Sequence, residues 1–335
     1  MKISIVGCGG ISRTHIGAVR EIPGARIISV ADCIPERAQA AAEQCGAKAY
    51  TSLETMLSSG EKPDILHICT PHCLHVPMAV YAMERGIDVL CEKPCAMTEE
   101  QLKALRDCQH RTGRQFGICF QNRYNRSVRY LKDIIDSGLY GELIGMRAFV
   151  TWKRDADYYA SGDWRGKKAT EGGGVLINQA LHTLDLMNML GGGVKAVTAH
   201  CSNDHLRGII EVEDTVSVFA EFSRGFRGVF FATTANAVTS PVMLEANFAD
   251  RSIRIEGDSV FEQKDGKLTP VLDADSFVNH GKACWGSGHA ALIRDFYESV
   301  TSKRPFSIDA DEGGKAIELL LAIYKSAEKD ERIEL

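Results

Sequence analysis

The chain has 335 residues, 44% of them hydrophobic and 25% charged, with a formal net charge of −5 at pH 7. This is an ordinary globular composition, and the length exceeds what one hydrophobic core usually organises, so two domains are expected. The charge is mild and no block of Lys and Arg occurs, which argues against nucleic acid and anionic membranes as partners.

The first elements form a strand, a glycine turn and a helix. KISIVG is a short apolar strand, GCGGIS follows it, and the next segment is helical in character. Gly7 allows the tight turn, and Gly9 lets the backbone approach a pyrophosphate at the helix N-terminus, whereas Ser12 stands where a third glycine is usual. A second strand ends at Asp32, which is placed to bind an adenosine ribose and to repel a 2′-phosphate. The segment predicts NAD rather than NADP, a preference that Arg37 in the next helix would weaken.

Strands and helices then alternate as far as FGICF. Strands are expected at PDILHICT, IDVLCEK and FGICF, and helices at PERAQAAAEQCG, SLETMLSSG, His75 to Arg85 and Thr98 to Thr112. The alternation predicts a doubly wound parallel sheet, a Rossmann-type domain over residues 1–121. Ligands bind at the carboxyl ends of such strands. The residues that fall there are Thr70, Pro71, Glu92 and Lys93.

The pattern changes after residue 121. A helix from Ser127 to Ser137 leads to the strand ELIGMRAFVTW and to the glycine-rich EGGG turn. Later segments alternate apolar and polar residues, which predicts a large, mostly antiparallel open sheet with one covered face. These segments are VSVFAEFS, FRGVFFATTAN, VMLEANFAD and RSIRIEGD. A second α/β domain over residues 122–335 is predicted, ending in a helix at AALIRDFYESVTS or from Glu312 to Glu328.

One largely apolar helix is expected from Val175 to Leu190. Within it Asn178, His182 and Asp185 are spaced i, i+4, i+7, which places them on one face. A single buried histidine satisfied by its neighbours is the alternative interpretation. The EGGG turn before the helix, with its close backbone approach, favours a functional face instead.

Alcohol oxidation needs a base for the hydroxyl proton while hydride leaves for nicotinamide. In a partly desolvated cleft the charged form of a lysine is disfavoured, which brings its pKa towards neutrality. Lys93 suits this role, although strand-end lysines without a role are common. Lys93 or His182 can take the proton, and the sequence does not assign which.

Arginine and aromatic side chains are dense after the last Rossmann strand and before the glycine-rich turn. Guanidinium forks suit carboxylates and phosphates, and aromatic faces suit sugar rings. Candidate substrate-binding residues are Arg123, Tyr124, Arg154, Tyr159, Trp164 and Arg165, with Asn178 and His182. His289, in WGSGH, is expected to cap or pack a late helix at least as readily as to act in catalysis.

The eleven cysteines are scattered, with an odd count and no regular spacing. This pattern predicts reduced thiols rather than disulfides, and with no apolar run or signal peptide recognised it indicates the cytoplasm. No metal is expected, because the cysteine spacing is CxxxC rather than CxxC. The sets considered are Cys69, His72, Cys73 and His75, and Cys91 with Cys95.

Taken in order, these motifs resemble the glucose-fructose oxidoreductase, inositol dehydrogenase and rhizopine-catabolism family, written Gfo/Idh/MocA. The motifs are GCGGIS, TPHCLH, CEKP, FQNRYN, WRG, EGGGVLINQALHTLD and CWGSGH, and they cover the whole chain. The resemblance implies an N-terminal Rossmann domain and a C-terminal α/β domain whose open sheet forms a homodimer or homotetramer. It also implies a substrate that is a sugar, a sugar nucleotide or a cyclitol.

The resemblance also assigns roles to residues. The implied cofactor contacts are Gly7, Gly9, Gly10 and Ile11 at the pyrophosphate, Asp32 at the ribose, Thr70, Pro71, His75 and Gln121 along the dinucleotide, and Glu92 and Lys93 near the nicotinamide. Lys93 and His182 match the lysine and histidine that many members use in catalysis. Many members have an aspartate where this chain has Asn178, and an amide cannot take a proton. Asp185 is left as a possible orienting group for His182.

The sequence therefore predicts an NAD-dependent dehydrogenase that acts on a secondary hydroxyl of a sugar, a sugar derivative or a cyclitol. One alternative is a redox-neutral epimerase or glycosidase that works through a transient ketone with tightly held NAD. Another is a dinucleotide-binding regulator without catalysis. The presence of both Lys93 and His182 argues against the regulator, and Asn178 is the feature in its favour.

Overall fold

The computed structural model describes residues 1–273 and 288–335. The strands in chain order are β1 (Lys2–Val6), β2 (Arg26–Ala31), β3 (Lys48–Tyr50), β4 (Ile65–Ile68), β5 (Asp88–Cys91), β6 (Phe116–Ile118), β7 (Gly145–Thr151), β8 (Val194–Ser202), β9 (Thr215–Phe222), β10 (Arg227–Thr233), β11 (Met243–Asn247), β12 (Arg251–Glu256), β13 (Ser259–Lys264), β14 (Lys267–Leu272) and β15 (Ile333–Glu334). The helices are α1 (Ser12–Arg20), α2 (Pro35–Cys45), α3 (Leu53–Ser59), α4 (His75–Met83), α5 (Glu99–Thr112), α6 (Arg126–Ser137), α7 (Ala156–Ala160), α8 (Lys168–Glu171), α9 (Val175–Asn178), α10 (Leu181–Gly191), α11 (His289–Ser302) and α12 (Gly314–Lys329). Short 3-10 turns lie at His72–Leu74 and Gln121–Tyr124.

The described residues divide into two compact units, 1–121 with 288–314 and 122–273 with 315–335. Helix α11 belongs to the first unit, although the predicted division into 1–121 and 122–335 assigns it to the second. Packing gives the reason. Phe296 of α11 is fully buried, and a Cβ on Gly117 of β6 would lie 2.7 Å from its ring. The glycine therefore lets the helix pack closely on the first sheet.

In the first unit the described strands form a six-stranded sheet in the order β3-β2-β1-β4-β5-β6. All the pairings are parallel. Strands β4 and β5 are buried at every position, which agrees with their continuous apolar sequence. The strand order reverses between β1 and β4, and ligands bind beyond the carboxyl ends of strands at such a point. The predicted Rossmann-type sheet is confirmed.

In the second unit the described strands form a nine-stranded sheet in the order β14-β13-β12-β11-β7-β10-β9-β8-β15. Among them β7 and β10 pair in parallel, and the other neighbours are antiparallel. Buried and exposed positions alternate along β9 and β10, because one face is covered and the other is open. Helix α10 packs on β7 and α6 packs on β12. The predicted mostly antiparallel open sheet is confirmed.

Local structure departs from prediction in the segment 175–190. The expected single helix is two helices, α9 and α10, separated by Gln179 and Ala180. The amide of Ala180 donates to the carbonyl of Val175, five residues back, at 2.9 Å, so the i to i−4 ladder is interrupted. Both candidate closing segments are helical, as α11 and α12. Residues 284–287 of the CWGSGH motif lie outside the described residues.

Candidate active site

The glycine turn after β1 brings two strand ends into backbone contact. Gly7 has φ +87°, and a Cβ there would lie 2.5 Å from the carbonyl oxygen of Cys69, just after β4. Only glycine fits this position, because both the conformation and the space exclude a side chain. A Cβ on Gly9 or Gly10 would meet no atom within 4 Å. These two glycines therefore lie against open space, as the approach of a phosphate requires.

Helix α1 begins without a side-chain cap. Its N-cap residue is Ile11, and the Ser12 hydroxyl donates to the carbonyl of Gly9 at 2.7 Å rather than capping the helix. The first amides of a helix need partners, and with the helix dipole they form a natural anion site. The turn and the helix start fit a dinucleotide pyrophosphate.

Asp32 follows β2 at the same sheet edge. Its Oδ2 accepts from the Cys8 amide at 2.7 Å, and its Oδ1 accepts from the Ile34 amide at 2.9 Å. The carboxylate therefore also holds the glycine turn, a role that the sequence analysis did not anticipate. Each oxygen keeps a further lone pair that can accept a ribose hydroxyl. Arg37 is exposed on α2.

Lys93 follows β5, again at the carboxyl edge of the sheet, and is half-buried. The Lys93–Pro94 peptide bond is cis. His75 is fully buried, with Nδ1 2.7 Å from the Pro94 carbonyl oxygen and Nε2 2.8 Å from that of Thr70. Burial lowers the pKa of His75, so the neutral ring donates to one of these carbonyls. His75 was expected to line the dinucleotide cleft. In the structure its ring lies between the segment after β4 and the segment after β5 and contacts the backbone of both.

A buried hydrogen-bonded network lies next to Lys93 in the chain. Tyr297 Oη lies 2.9 Å from His67 Nε2, the two Nδ1 atoms of His67 and His15 are 2.8 Å apart, and His15 Nε2 lies 2.9 Å from Glu92 Oε1. One arrangement of protons satisfies every bond with neutral rings, in which each group donates to the next and His15 donates to the carboxylate. The sequence analysis missed His15, His67 and Tyr297, because single polar residues inside apolar segments carry no pattern.

Glu92 is the anion of this network. Burial opposes its ionisation, but the hydrogen bond from His15 and the attraction of His15, His289 and Lys93 outweigh it and lower the pKa of Glu92 to about 2. His289 Nε2 is 3.8 Å from Glu92 Oε1, and burial lowers the pKa of His289 to about 4. Burial and the nearby His15 also hold the pKa of His67 well below its usual range. Glu92 is therefore ionised in this network, while burial lowers the pKa values of His67 and His289.

Potential metal ligands also meet in this network. One atom each from His15, Glu92 and Cys119 lies within 4.8 Å of the others, and all three residues are buried. Burial, followed by the charge of Glu92, holds the pKa of the Cys119 thiol well above its usual range. His15 and Glu92 are hydrogen-bonded to each other in this group, with Nε2 2.9 Å from Oε1.

In the second unit the glycines of EGGG make room for protein atoms. A Cβ on Gly174 would lie 1.8 Å from the Glu213 carbonyl oxygen, and one on Gly173 would lie 2.0 Å from the Tyr324 hydroxyl. The Glu213 carboxylate accepts from the amides of Gly174 at 2.9 Å and Leu176 at 3.0 Å, and from the Tyr324 hydroxyl at 2.9 Å. Glu213 thus anchors the start of α9. The close backbone approach that the EGGG glycines were expected to allow is therefore a contact with Glu213 and Tyr324 of the protein itself.

Two of the three polar residues expected on one helical face, Asn178 and Asp185, are held by different partners. Asn178 Nδ2 donates to Glu171, a fully buried carboxylate that also accepts from the Gly166 amide. Asp185 accepts from Arg123 Nε at 2.8 Å and Nη2 at 2.6 Å. The helix break separates Asn178 from the other two. Sequence reasoning missed Glu171, whose only signal is its place before the glycines.

This geometry changes the expectation for two residues. The Arg123 and Asp185 side chains are 10% and 2% exposed, so they form a buried bidentate ion pair. Asp185 was expected to orient His182, and Arg123 to bind substrate, but each engages the other. A buried charge needs a partner, which explains why they pair. His182 lies on the first turn of α10 and is half-buried.

The remaining substrate candidates lie in three different environments. Tyr159 is 5% exposed and packs in an apolar cluster with Leu206, Ile210 and Val212, so it is a core residue and not a surface for sugar rings. Tyr124 is half-buried, with the Arg129 guanidinium 4.9 Å from its ring centroid. Arg154, Trp164 and Arg165 are half-buried around Tyr158. Gln121, which was predicted to contact the dinucleotide, is buried at the end of the first unit.

The fold and these residues define a class. A parallel sheet with a glycine-rich turn at its switch point, an open helix N-terminus and an acid after the second strand is the dinucleotide-binding arrangement of Rossmann-fold oxidoreductases. A family model described as the NAD-binding Rossmann fold of an oxidoreductase family matches residues 1–120, and the GFO/IDH/MocA C-terminal domain matches residues 128–259. The chain belongs to the Gfo/Idh/MocA family of oxidoreductases, and its first domain binds NAD.

Individual relatives match along the whole chain. D-glucoside 3-dehydrogenase of Escherichia coli is 26% identical over 100% of this chain and 97% of its own length. Levoglucosan dehydrogenase of Pseudarthrobacter phenanthrenivorans is 24% identical over 100% of this chain and 98% of its own. The crystal structure of the WlbA dehydrogenase from Bordetella pertussis, in complex with NADH and UDP-GlcNAcA, superposes with a TM-score of 0.89 at 28% identity, covering 100% of this chain and 97% of that one.

Proposed function

We propose that this protein is an NAD-dependent dehydrogenase that moves hydride between a secondary hydroxyl of a sugar, sugar derivative or cyclitol and nicotinamide. The observation that carries the proposal is the meeting of Gly7, Asp32 and Lys93 at one edge of the parallel sheet, where each follows a strand. The names of the two curated relatives support a sugar hydroxyl as the reacting group. When bound, NAD supplies the hydride acceptor at nicotinamide C4.

Lys93 and His182 are the proposed acid–base groups. The hydroxyl must lose its proton as hydride leaves carbon, so one side chain must accept a proton at the substrate oxygen. Lys93 lies between buried Glu92 and buried Pro94, which hold its backbone in place. His182 is half-buried at the start of α10, and imidazole is the side-chain group that most often serves as an acid or base in catalysis.

The test is NADH formation by purified protein with NAD or NADP and a panel of sugars, uronates, sugar phosphates, sugar nucleotides and inositols. Turnover of one substrate class, reduced at least about 100-fold in both Lys93→Ala and His182→Ala, is the expected outcome. Lys132→Ala, an exposed lysine on α6, is the matched control and retains activity. Tight NADH binding without turnover of any substrate would contradict the proposal.

Asp32 is proposed to set the cofactor preference. Its carboxylate repels a 2′-phosphate, so Asp32→Ser should raise the kcat/KM ratio of NADP to NAD by at least about 10-fold. The serine hydroxyl replaces one acceptor for the Cys8 amide, which keeps the turn supported. An unchanged ratio would remove Asp32 from this role. The same kcat/KM ratio measured in Arg37→Ala shows how far the Arg37 guanidinium, exposed on α2, offsets the repulsion between Asp32 and a 2′-phosphate.

We further propose that the open face of the second sheet forms a homodimer or homotetramer. Phe219 and Val229 are directly opposite in the β9–β10 register and are 46% and 48% exposed. Phe149 and Phe231 pair on the neighbouring strands with ring centroids 6.4 Å apart. An apolar sheet face of this kind favours association. Phe219→Glu should yield monomers by light scattering, while Leu139→Glu, on a separate exposed turn, should not.

The compartment proposed is the cytoplasm. Ten cysteines of the described residues carry free thiols. This supports a reducing environment. Among the described residues, no helix combines the length and the apolar content needed to span a bilayer.

A further inference from the structure

Two guanidinium groups in the second unit share one aromatic ring. The Cζ atoms of Arg154 and Arg165 lie 5.1 Å and 4.7 Å from the ring centroid of Tyr158. Arg154 also lies 4.9 Å from the centroid of Trp152, and Arg165 lies 4.6 Å from that of Trp164. The aromatic rings hold both cations in defined positions.

Neither cation has an anionic partner among residues 1–273 and 288–335. Arg165 Nη1 donates to the Tyr158 hydroxyl at 2.8 Å, and Arg154 Nη1 donates to the Lys153 carbonyl at 2.7 Å. The Nε atoms of both arginines are buried and have no acceptor in the part of the chain that the structure describes. Each arginine is a half-buried positive charge, and contacts with aromatic rings offset the cost of its partial burial only in part. A bound anion would satisfy both the charge and the open donors.

Hydrogen bonds connect Arg165 and its neighbour Gly166 to the segment that precedes α10. The Tyr158 hydroxyl that accepts from Arg165 also accepts from Gln179 Nε2 at 3.1 Å. Gln179 directly follows Asn178, and its Oε1 is buried without a donor among the described residues. Gly166, next to Arg165, donates its amide to Glu171, which also accepts from Asn178. One connection ends at Asn178, the last residue of α9, and the other ends at Gln179, between α9 and α10. Helix α10 carries His182.

We propose that Arg154 and Arg165 form an anion subsite of the substrate site, and that the substrate is an acidic sugar whose carboxylate or phosphate occupies it. A guanidinium presents Nε and Nη donors in a planar fork that matches the oxygens of either group. The Tyr158 ring contacts both guanidinium groups and helps to hold the two forks in place. The inference rests on the proposed dehydrogenase function and adds the class of its substrate.

The experiment compares matched pairs of acidic and neutral substrates with NAD. A uronate is compared with its parent aldose to test a carboxylate, and a sugar phosphate is compared with the same parent to test a phosphate. We expect kcat/KM to be at least about 10-fold higher for the acidic member of one pair, and that pair identifies the anion. Arg165→Met should lower the ratio of kcat/KM for this acidic substrate to kcat/KM for its neutral parent by about 10-fold or more, mainly through the KM of the acidic substrate.

Two further variants make the result specific to the fork. Arg165→Lys keeps the charge without the fork and should recover only part of the lost kcat/KM. Arg85→Met removes a guanidinium stacked on Tyr81 in the first unit and should leave both substrates unaffected. Thermal unfolding of each variant confirms that it folds.

The outcomes separate the two proposals. A preference for neutral substrates, or an equal loss of acidic and neutral activity in Arg165→Met, overturns the anion subsite and leaves the dehydrogenase standing. If nothing turns over although NADH binds, the dehydrogenase proposal fails. The subsite is then decided by calorimetry with the uronate and the sugar phosphate. Binding that weakens about 10-fold or more in Arg165→Met supports it, and no binding by the wild type overturns it.

Discussion

Gly7 and Gly9 belong to one turn, but a side chain is excluded by the surrounding protein only at Gly7. Gly7 faces the backbone of the segment after β4, where an added methyl group would clash with a carbonyl oxygen at 2.5 Å. Gly9 has no atom within 4 Å of the place where its Cβ would be. The first glycine is therefore required by the fold itself. The second glycine is not required by packing, and the space beside it is open to a ligand.

We predict that Gly7→Ala loses stability by about 3 kcal/mol or more, because it adds both a backbone clash and a disfavoured positive φ. Gly9→Ala should unfold at nearly the wild-type urea concentration but bind NADH at least about 10-fold more weakly, since its methyl group takes the place of the pyrophosphate. Urea unfolding and NADH fluorescence measure the two effects. A Gly9→Ala protein with unchanged NADH affinity would rule out the proposed pyrophosphate contact.

The buried ion pair between Arg123 and Asp185 can be tested by substituting each residue. Asp185→Asn keeps the shape of the side chain but removes the negative charge of the carboxylate that binds the buried Arg123 guanidinium at two points, at a cost of about 3 kcal/mol. Arg123→Met in the same chain removes the positive charge of this pair as well and should recover part of the loss. A double-mutant cycle in urea gives the coupling energy. Additive effects, or a shift in the pH profile of kcat without loss of stability, would instead support Asp185 as an orienting group for His182.

At the scale of elements, the start of α9 is held by residues remote in the chain. Glu213 accepts from two amides of this helix start, and its backbone carbonyl takes the space that a side chain on Gly174 would fill. Burial raises the pKa of Glu213 in spite of these bonds. The position of Asn178, and of α10 after it, therefore depends on a contact that only glycine permits.

We predict that Gly174→Ala displaces α9, because the clash of 1.8 Å is with backbone and no side-chain rotation can relieve it. Stability should fall by about 3 kcal/mol or more, and kcat should fall with it. Gly145→Ala on β7 is the control, since its Cβ would meet only an ordinary contact of 3.6 Å. Melting temperature and kcat are the measurements. Normal values for both in Gly174→Ala would show that the turn adapts and that this anchor does not position the site.

For the whole molecule, the buried histidines connect stability to pH. The pKa of His289 is lowered by burial from 6.5 to about 4, so between these values the unfolded chain binds a proton that the folded chain does not. Stability therefore rises with pH across this window and is lost as the pH falls. His67 acts in the same direction. Glu92, with its pKa lowered to about 2, adds a further loss as the pH falls below about 4.5.

We predict that His289→Gln reduces the difference in unfolding free energy between about pH 6.5 and about pH 5 by about 2 kcal/mol, because one proton no longer distinguishes the two states. Urea unfolding at both pH values measures this difference. The same change at exposed His205 is the matched control. An unaltered pH dependence in His289→Gln would mean that His289 does not titrate on unfolding in this range.

Much of the fold was predictable because it rests on local patterns. Apolar runs alternating with amphipathic helices predicted the parallel sheet, and two-residue alternation predicted the open sheet. The positions of Gly7, Asp32 and Lys93 at strand ends were predictable for the same reason, since parallel strands present their carboxyl ends at one edge. The break between α9 and α10 was not predictable, because an apolar run contains no signal for a main-chain bond that skips a residue.

The sequence by itself determined the order of the elements, the dinucleotide turn and the candidate acid–base residues, because each depends on residues close together in the chain. Only the tertiary structure decided which polar groups meet. His15 bonds to residues 52 and 77 positions away, and Tyr297 reaches His67 across 230 positions. The ion pair between Asp185 and Arg123 likewise joins residues that are far apart in the sequence. The same holds for the contact between the Glu213 carbonyl and Gly174. Buried polar groups must find partners wherever the fold brings them, and no local pattern encodes that choice.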